Sequence, residues 1–147
     1  MKLVIDTNLL IDGATDDYNY GNRIIDAVID GRVEAYANTA TLRENKLLAG
    51  QKVTDPAYLD KLNEYFAHVQ HAPYVNERIR VVSDPEDNKL VESAVAVQAD
   101  YLVSSDRHLL VLEEYDGVKI VSPVEFWNQF EDQTDDGWDK WMKSFLK

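Results

Sequence analysis

Short apolar runs alternate with helix-like patterns along most of this chain, and that alternation limits its fold more than any other feature. Five runs have the length and composition of buried strands. They are Leu3 to Ile5, Val33 to Ala37, Ile79 to Val82, Tyr101 to Ser104 and Lys119 to Val121. Such alternation is typical of a mostly parallel sheet with helices on both faces. We therefore predict one α/β domain.

Apolar residues at helical spacing mark the elements between the strands. Helices are expected from Tyr20 to a stop at Gly31, after a cap at Thr39 or Thr41, around Tyr58 to Phe66, from Glu86 to Ala99, and from Pro123. The segment Asp12 to Asn22 is polar and acidic with two glycines, and we predict a loop there. No helix is expected to begin at Thr7.

The last stretch of the chain, residues 132–147, differs in character from the rest. Trp138, Trp141, Met142 and Phe145 follow i, i+3, i+4, i+7 spacing, which predicts an amphipathic helix. We expect this helix either to pack on the domain formed by residues 1–131 or to serve as an interface with a partner or a second copy.

The charge balance restricts the classes of ligand. The chain has 27 acidic and 15 basic residues, for a formal net charge of −12. A protein that grips nucleic acid by charge alone should be basic, so RNA is plausible only if divalent cations or local basic clusters offset the acids. The absence of cysteine excludes disulfides and zinc-thiolate sites. Without a leader or a long apolar run, we expect a cytoplasmic protein that does not enter a membrane.

Acidic residues follow several of the predicted strands or begin predicted helices. Asp6 ends the first strand, Glu44 lies one turn into the helix after the second, and Asp106 follows the fourth strand. The run Asp84-Pro85-Glu86-Asp87-Asn88 opens another helix. If the strands are parallel neighbours, these acids meet at one edge of the sheet, where ligands of open α/β sheets bind.

Carboxylates that meet without a basic partner repel one another, and a divalent cation removes that conflict. Oxygen ligands without His or Cys favour Mg²⁺ or Mn²⁺ over zinc, and the natural chemistry is phosphodiester hydrolysis. The alternative is structural: Asp84, Glu86 and Asp87 suit a helix start, and Asp106 is able to cap the following helix.

With these sites assembled, the chain resembles the PIN domain nucleases, and within them the VapC-related toxins of toxin–antitoxin pairs. The matching segments lie in the expected order over roughly residues 2 to 128. They are Val4-Ile5-Asp6-Thr7-Asn8-Leu9-Leu10, Thr41-Leu42-Arg43-Glu44, Asp84-Pro85-Glu86-Asp87-Asn88, Ala99-Asp100-Tyr101-Leu102-Val103-Ser104-Ser105-Asp106 and Gly117-Val118-Lys119-Ile120-Val121-Ser122-Pro123-Val124-Glu125-Phe126.

The resemblance implies a PIN-like three-layer sandwich with a five-stranded parallel sheet in the order 3-2-1-4-5. It also implies a Mg²⁺- or Mn²⁺-dependent endoribonuclease in which water is the nucleophile. The catalytic and metal-binding residues would be Asp6, Glu44, Asp87 and Asp106, with Asn8 and Ser104 orienting them. A small antitoxin is implied in the same way. We also expect a homodimer, to which the stripe from Trp138 to Phe145 is able to contribute.

Two departures from the family pattern bear on the site. The family's third acid often falls where Asn88 stands, so Asp87 is preferred here while Glu86 and Asn88 remain possible. Ser104-Ser105 replaces the more usual Thr-Gly, which keeps the hydroxyl.

Two other functions compete with the nuclease reading. Asp6 also suits the phosphate-accepting acid of haloacid dehalogenase-like phosphatases, although Asn8 lacks the second carboxylate that they need. The remaining alternative is a non-catalytic PIN-like interaction module.

Histidines and bases form a weaker set of candidates. His68 and His71 are predicted on one helix face, more as a solvated pair than as a metal site, and His108 lies near Asp106. The bases near the proposed edge, which form either a phosphate-binding rim or solvated helix faces, are Arg23, Arg43, Lys46, Lys52, Arg78, Arg80, Lys89 and Arg107.

Overall fold

The structure is a computed structural model that describes residues 1–13, 20–74 and 79–131. The strands in these ranges are β1 (Lys2–Ile5), β2 (Glu34–Ala37), β3 (Gln70–His71), β4 (Tyr101–Val103), β5 (Glu114–Tyr115) and β6 (Val118–Val121). The helices are α1 (Thr7–Asp12), α2 (Tyr20–Ile29), α3 (Thr39–Lys52), α4 (Pro56–His68), α5 (Pro85–Ala96) and α6 (Arg107–Leu110). Residues 123–131 are also helical and are called α7.

The strands form one sheet in the order β3-β2-β1-β4-β6-β5. The first five of these strands are parallel, as expected, and β6 takes the fifth place in the predicted order. The antiparallel edge strand β5 was not predicted. It pairs with β6 through a two-residue turn in which Asp116 and Gly117 have φ of 49° and 85°. Such a hairpin turn needs positive φ at both residues, and Asp-Gly is its usual sequence.

The third strand lies elsewhere than the sequence predicted. The apolar segment 79–82 is not a strand, and the sheet position belongs to β3, which pairs Gln70 with Tyr36 and His71 with Ala37. The backbone N–H groups of Val81 and Val82 instead donate to Oδ1 of Asn88, at 3.0 and 3.1 Å. A side chain of α5 thus satisfies backbone groups that a strand ladder would have used.

Alternating residues of the central strands enter two separate cores. Leu3 and Ile5 of β1 pack with α2 and α4, whereas Val4 packs on the opposite face with α5. This follows from the period of two along a strand. The sheet is therefore covered by helices on both faces, as predicted, and its carboxyl-terminal edge is left for a ligand.

Several sequence expectations concern the ends of elements. Helix α2 begins at Tyr20 and is followed by Gly31 at φ of 77°, which agrees with the predicted stop. The predicted loop from Asp12 to Asn22 was wrong at both ends, since Asp12 ends α1 and Asn22 lies in α2, and residues 14–19 lie outside the described residues. The predicted C-terminal helix at 132–147 lies outside the described residues. No helix in the described ranges is both long and apolar enough to cross a bilayer.

Candidate active site

Two neighbouring parallel strands deliver the first acid of the site. Ile5 of β1 pairs with Val103 of β4, and the backbone N–H of Asp6 donates to the carbonyl of Val103 at 3.0 Å. Asp6 and Ser104 therefore leave the sheet side by side at its carboxyl-terminal edge. The Asp6 side chain is almost completely buried there.

Both carboxylate oxygens of Asp6 accept hydrogen bonds. Ser104 Oγ donates to Oδ2 at 2.8 Å, and the backbone N–H of Asn8 donates to Oδ1 at 3.3 Å. Burial raises the pKa of Asp6, and the charges of Asp106 and Asp12 raise it further, while the two hydrogen bonds act in the opposite direction. The acid is fixed in position, but its charged form is costly without a cation.

The bond from Asn8 also makes Asp6 the N-cap of α1. The prediction that no helix begins at Thr7 was therefore wrong, because a six-residue helix is too short to display a periodic apolar face. Asp6 thus has a structural role beside any chemical one. The orienting group contributed by Asn8 is its backbone N–H, whereas its side chain is exposed.

Asp106 lies next to Asp6 because the same serine contacts both residues. The backbone N–H of Asp106 donates to Ser104 Oγ at 3.0 Å, while that hydroxyl donates to Asp6. Asp106 Oδ1 in turn accepts from the backbone N–H of His108 at 2.9 Å and caps α6, as the sequence allowed. The hydroxyl of Ser104 thereby sets the spacing between the two acids.

Asp87 approaches the same acids from the first turn of α5. Its side chain is buried, and its pKa is raised to about 7, first by burial, then by a hydrogen bond with the Asp106 carboxyl and by the charges of Asp106, Asp84 and Asp6. Two carboxyl groups form a hydrogen bond only when one of them holds a proton. Near neutral pH, this pair therefore retains a proton in the absence of a cation.

Glu44 of α3 completes the group from the opposite wall. It is exposed and lines a pocket of about 190 Å³ together with Asp6, Asp87 and Asn8, and Asp84 and Glu86 stand at the same pocket. We call this space the acid pocket. None of the ion pairs among the described residues includes Asp6, Glu44, Asp87 or Asp106.

The three candidates for the third acidic position differ in their contacts. Besides the two bonds that it accepts, Asn88 donates through Nδ2 to the carbonyl of Val82 at 2.8 Å, so its side chain is committed to the 79–82 segment. Glu86 is exposed and pairs with Lys89 at 3.0 Å. Asp87 is the only buried acid of the three, and the Asp106 and Asp6 carboxyls add to the effect of burial in raising its pKa.

The donor set matches a hard divalent cation in its chemistry. Within the described part of the chain, no three acidic or histidine side chains are close enough to form a ready-made ion site. The groups that converge are nevertheless all oxygen donors with mutually unfavourable charge, as Mg²⁺ and Mn²⁺ prefer. The residues present therefore fit such an ion in the chemistry of their donor atoms.

The sequence analysis did not identify a polar pair that supports the site. Thr7 Oγ1 donates to Asn45 Oδ1 at 2.6 Å and joins α1 to α3. Each of these residues directly follows a candidate acid, Asp6 or Glu44, so the bond sets the distance between the two walls of the acid pocket. The sequence feature that pointed to this contact is Asn45, which is a polar residue on the buried face of α3.

The weaker candidates do not assemble into a second centre. His68 ends α4 and His71 lies in β3, so the expectation that they share a helix face was wrong. Each has a separate neighbour: His68 Nδ1 lies 2.8 Å from the carbonyl of Glu64, and His71 Nδ1 lies 3.3 Å from Thr39 Oγ1.

Three of the bases predicted for a phosphate-binding rim are not available for it in the described structure. Lys52 is in the last turn of α3, away from the end that carries Glu44, and Arg23 stacks over the ring of Tyr20 at 4.9 Å. Arg78 lies outside the described residues.

Comparison with known proteins concerns the family and the fold. The sequence profile of the PIN domain matches residues 2–108. Protein MJ1680 of Methanocaldococcus jannaschii, which is named as uncharacterized, is 25% identical over 148 residues, covering 89% of this chain and 92% of that protein. The crystal structure of VapBC2 from Rickettsia felis, bound to a DNA fragment from their promoter, superposes with a TM-score of 0.56. That match covers 83% of this chain and 98% of the other at 10% identity, and so concerns the fold.

Proposed function

Because this chain belongs to the PIN domain family, whose members are nucleases, we propose that it is a Mg²⁺- or Mn²⁺-dependent endoribonuclease. One observation carries the proposal. Three aspartates from separate elements, Asp6, Asp87 and Asp106, interact at the carboxyl-terminal edge of the sheet with no ion-pair partner among the described residues. A cation-dependent phosphodiesterase needs such a cluster of acids at a ligand-binding edge, and this supports the proposal.

Asp6, Asp87 and Asp106 would hold the ion, and Glu44 would reach it from the opposite wall of the acid pocket. When bound, Mg²⁺ or Mn²⁺ neutralises the acids, stabilises charge on a phosphoryl oxygen and strengthens water as a nucleophile. The protein's part is positioning. Ser104 holds Asp6 and the backbone of Asp106 together, and Asp87, whose pKa is raised, would have to lose its proton to bind a cation.

RNA is proposed as the substrate on the basis of the family resemblance, and the cation resolves the conflict between a net charge of −12 and a polyanionic substrate. The fold shared with VapBC2 supports the further proposal that the chain is the toxin of a toxin–antitoxin pair in the cytoplasm. A small antitoxin is the proposed protein partner. Three further proposals rest on the sequence. They are that the chain forms a homodimer, that residues 132–147 serve as an interface, and that the PIN-like domain ends at residue 131.

The phosphatase alternative requires Asp6 to attack a phosphoryl group. The chain has Asn8 at the position where those phosphatases need a second carboxylate, so the general acid of that reaction is missing. Incubation with a phosphoryl donor such as acetyl phosphate, followed by mass spectrometry, tests this directly. A phosphoaspartate at Asp6 would favour the phosphatase over the nuclease.

The experiment that tests the proposed function is cleavage of end-labelled RNA and DNA by the purified protein. We expect RNA cleavage with Mg²⁺ or Mn²⁺, none with EDTA, and none in Asp6→Asn. Asp60→Asn is the matched control, since it removes the same charge from an exposed position of α4. Cleavage by Asp6→Asn at the wild-type rate would overturn the proposal. Absence of cleavage in every metal would instead favour the non-catalytic interaction module.

A further inference from the structure

A second pocket of about 730 Å³ lies beside the acid pocket. Ile79, Val82 and Pro85 give it apolar walls, while Arg80 and Lys89 stand at the same pocket. We call it the side pocket. Its size is within the range of cavities that hold small organic ligands, and its mixed walls suit a planar, partly apolar group that carries a charge.

The two pockets share the first turn of α5. Pro85 and Lys89 line the side pocket, whereas Asp84 and Asp87 line the acid pocket. The first turns of α3 are divided in the same way, with Ala40 facing one pocket and Glu44 facing the other. The two pockets lie on either side of a helix that is only about 10–12 Å across with its side chains. An extended oligonucleotide can therefore occupy both pockets at once.

Tyr74 gives the side pocket an exposed aromatic ring whose position is fixed. The residue is 66% exposed, which is unusual for a large aromatic side chain, and its hydroxyl accepts a hydrogen bond from the backbone N–H of Ala40 at 3.3 Å. The bond ties the tip of the ring to the start of α3 and leaves ring surface open to solvent. Rings presented in this way stack nucleobases regardless of base identity.

Two basic residues, Arg80 and Lys89, line the side pocket together with Tyr74. Lys89 pairs with Glu86 at 3.0 Å, and Glu86 lines the acid pocket. Lys89 is therefore the base that connects the two pockets, and Arg80 is an exposed base of the side pocket. In a chain with net charge −12, two bases beside an open aromatic ring provide a local place for a phosphate.

We infer that the side pocket binds a nucleotide of single-stranded RNA next to the phosphate that occupies the acid pocket. Its base stacks on Tyr74, and its phosphate lies between Arg80 and Lys89. The inference rests on the proposed nuclease function for the identity of the polymer. It adds a binding subsite that tolerates any base, because no base-reading hydrogen bond is required.

The test is fluorescence anisotropy of a labelled, mixed-sequence oligoribonucleotide in Ca²⁺, a hard cation that neutralises the acid pocket but activates water less than Mg²⁺ does, over a series of salt concentrations. Tyr74→Ala should weaken binding at least about fivefold, the lower end for one lost base stack, without changing the salt dependence. Tyr74→Phe keeps the stacking surface but loses the hydrogen bond to Ala40, so it should bind more tightly than Tyr74→Ala and no more tightly than the wild type. Both substitutions are at an exposed position, and their melting temperatures serve as the folding control.

The two bases should behave differently from the tyrosine. Arg80→Ala and Lys89→Ala should each lower the slope of log affinity against log salt by about 0.7, the value for one phosphate contact on a single strand. Lys52→Ala removes the same charge from the far end of α3 and should leave the slope unchanged. As a second measurement, photocrosslinking with 4-thiouridine RNA should label the peptide that contains Tyr74.

The results separate this inference from the proposed function. Wild-type affinity and salt slope in both Tyr74→Ala and Lys89→Ala would overturn the subsite, even if the protein cleaves RNA, and would favour a protein segment as the occupant. Weakened binding by these variants in a protein that cleaves no RNA would support the subsite and contradict the nuclease.

Discussion

The hydroxyl of Ser104 donates to the carboxylate of Asp6 across 2.8 Å and joins two residues that are 98 positions apart in the chain. The contact exists because β1 and β4 are parallel neighbours whose carboxyl ends meet. Ser104 is completely buried, and its oxygen also accepts from the backbone of Asp106. One hydroxyl thus fixes the two acids that begin α1 and α6.

Ser104→Ala should therefore reduce both stability and metal affinity. Loss of a hydrogen bond to a buried carboxylate costs about 1–3 kcal/mol of unfolding free energy. Mn²⁺ affinity, followed by electron paramagnetic resonance, should fall because Asp6 and Asp106 lose their common support. Ser105→Ala is the matched control, since the neighbouring serine is exposed. Equal effects of the two substitutions would contradict the role given to Ser104.

The stability of the metal-free protein should fall as the pH rises from about 4 to about 7. The folded-state pKa of Asp87 is raised from 3.8 to about 7, so in this window the folded protein keeps a proton that the unfolded chain has lost. The raised pKa of Asp6 acts in the same direction. Denaturant unfolding in EDTA at several pH values measures the trend, and Asp87→Asn should flatten it. A wild-type stability that rises across the same window would contradict the coupling of Asp87 with Asp106.

Cation binding should release protons near neutral pH. Because Asp87 shares a proton with Asp106, Mg²⁺ or Mn²⁺ has to displace it. Titration calorimetry in two buffers of different ionisation enthalpy should show proton release at about pH 6.5 that fades toward about pH 8.5, above the raised pKa. The same binding enthalpy in both buffers at the lower pH would argue against Asp87 as a ligand.

Asp87→Asn should stabilise the metal-free protein while removing activity. The amide keeps the shape of the side chain but ends the repulsion from Asp6 and Asp106. The melting temperature in EDTA at neutral pH should rise, and RNA cleavage should be lost. Asp60→Asn is the control, with no expected change in either property. A lower melting temperature together with full cleavage would show that Asp87 is structural.

Asn88→Ala should have the opposite pair of effects, namely lower stability and an unchanged metal site. Asn88 holds the 79–82 segment through three hydrogen bonds, so the substitution should lower unfolding free energy by about 2 kcal/mol or more. Mn²⁺ affinity of the folded protein should be unchanged, because the side chain does not face the acid pocket. Mn²⁺ titration alongside denaturant unfolding separates the two effects. A loss of affinity as large as that of Asp87→Asn would place Asn88 in the metal site.

The sequence was sufficient to predict the layer architecture and the edge at which the acids meet. The architecture and the edge follow from local patterns. Apolar runs that are followed by Asp6 and Asp106 identify two of the parallel strands and their carboxyl ends. The placement of Leu3 and Val4 in the two separate cores is explained by the period of two along a strand.

The third strand was mispredicted because its identity depends on tertiary contacts. Ile79, Val81 and Val82 have the composition of a strand, but the side chains of Glu92 and Asn88 satisfy their N–H groups. Gln70 and His71 carry no strand signal of their own and become a strand by pairing with β2. Pairing with a strand more than 30 positions away has no local signature, and neither has the capture of backbone N–H groups by helix side chains.

The choice among Glu86, Asp87 and Asn88 also required the structure. The three residues are consecutive, so a rotation of about 100° per residue around α5 decides which one faces the acids. That rotation is set by the cap at Asp84, which accepts from the backbone N–H of Glu86 at 2.9 Å. Capping by several acids was possible from the sequence, and only the fold selects one.

The most direct test of the central proposal is an anomalous difference map from crystals of the protein grown or soaked with Mn²⁺. The account predicts a strong peak in the acid pocket, contacted by Asp6, Asp87 and Asp106, that disappears in Asp6→Asn. A map without a peak at saturating Mn²⁺, with these carboxylates bonded to arginine or lysine side chains, would contradict it.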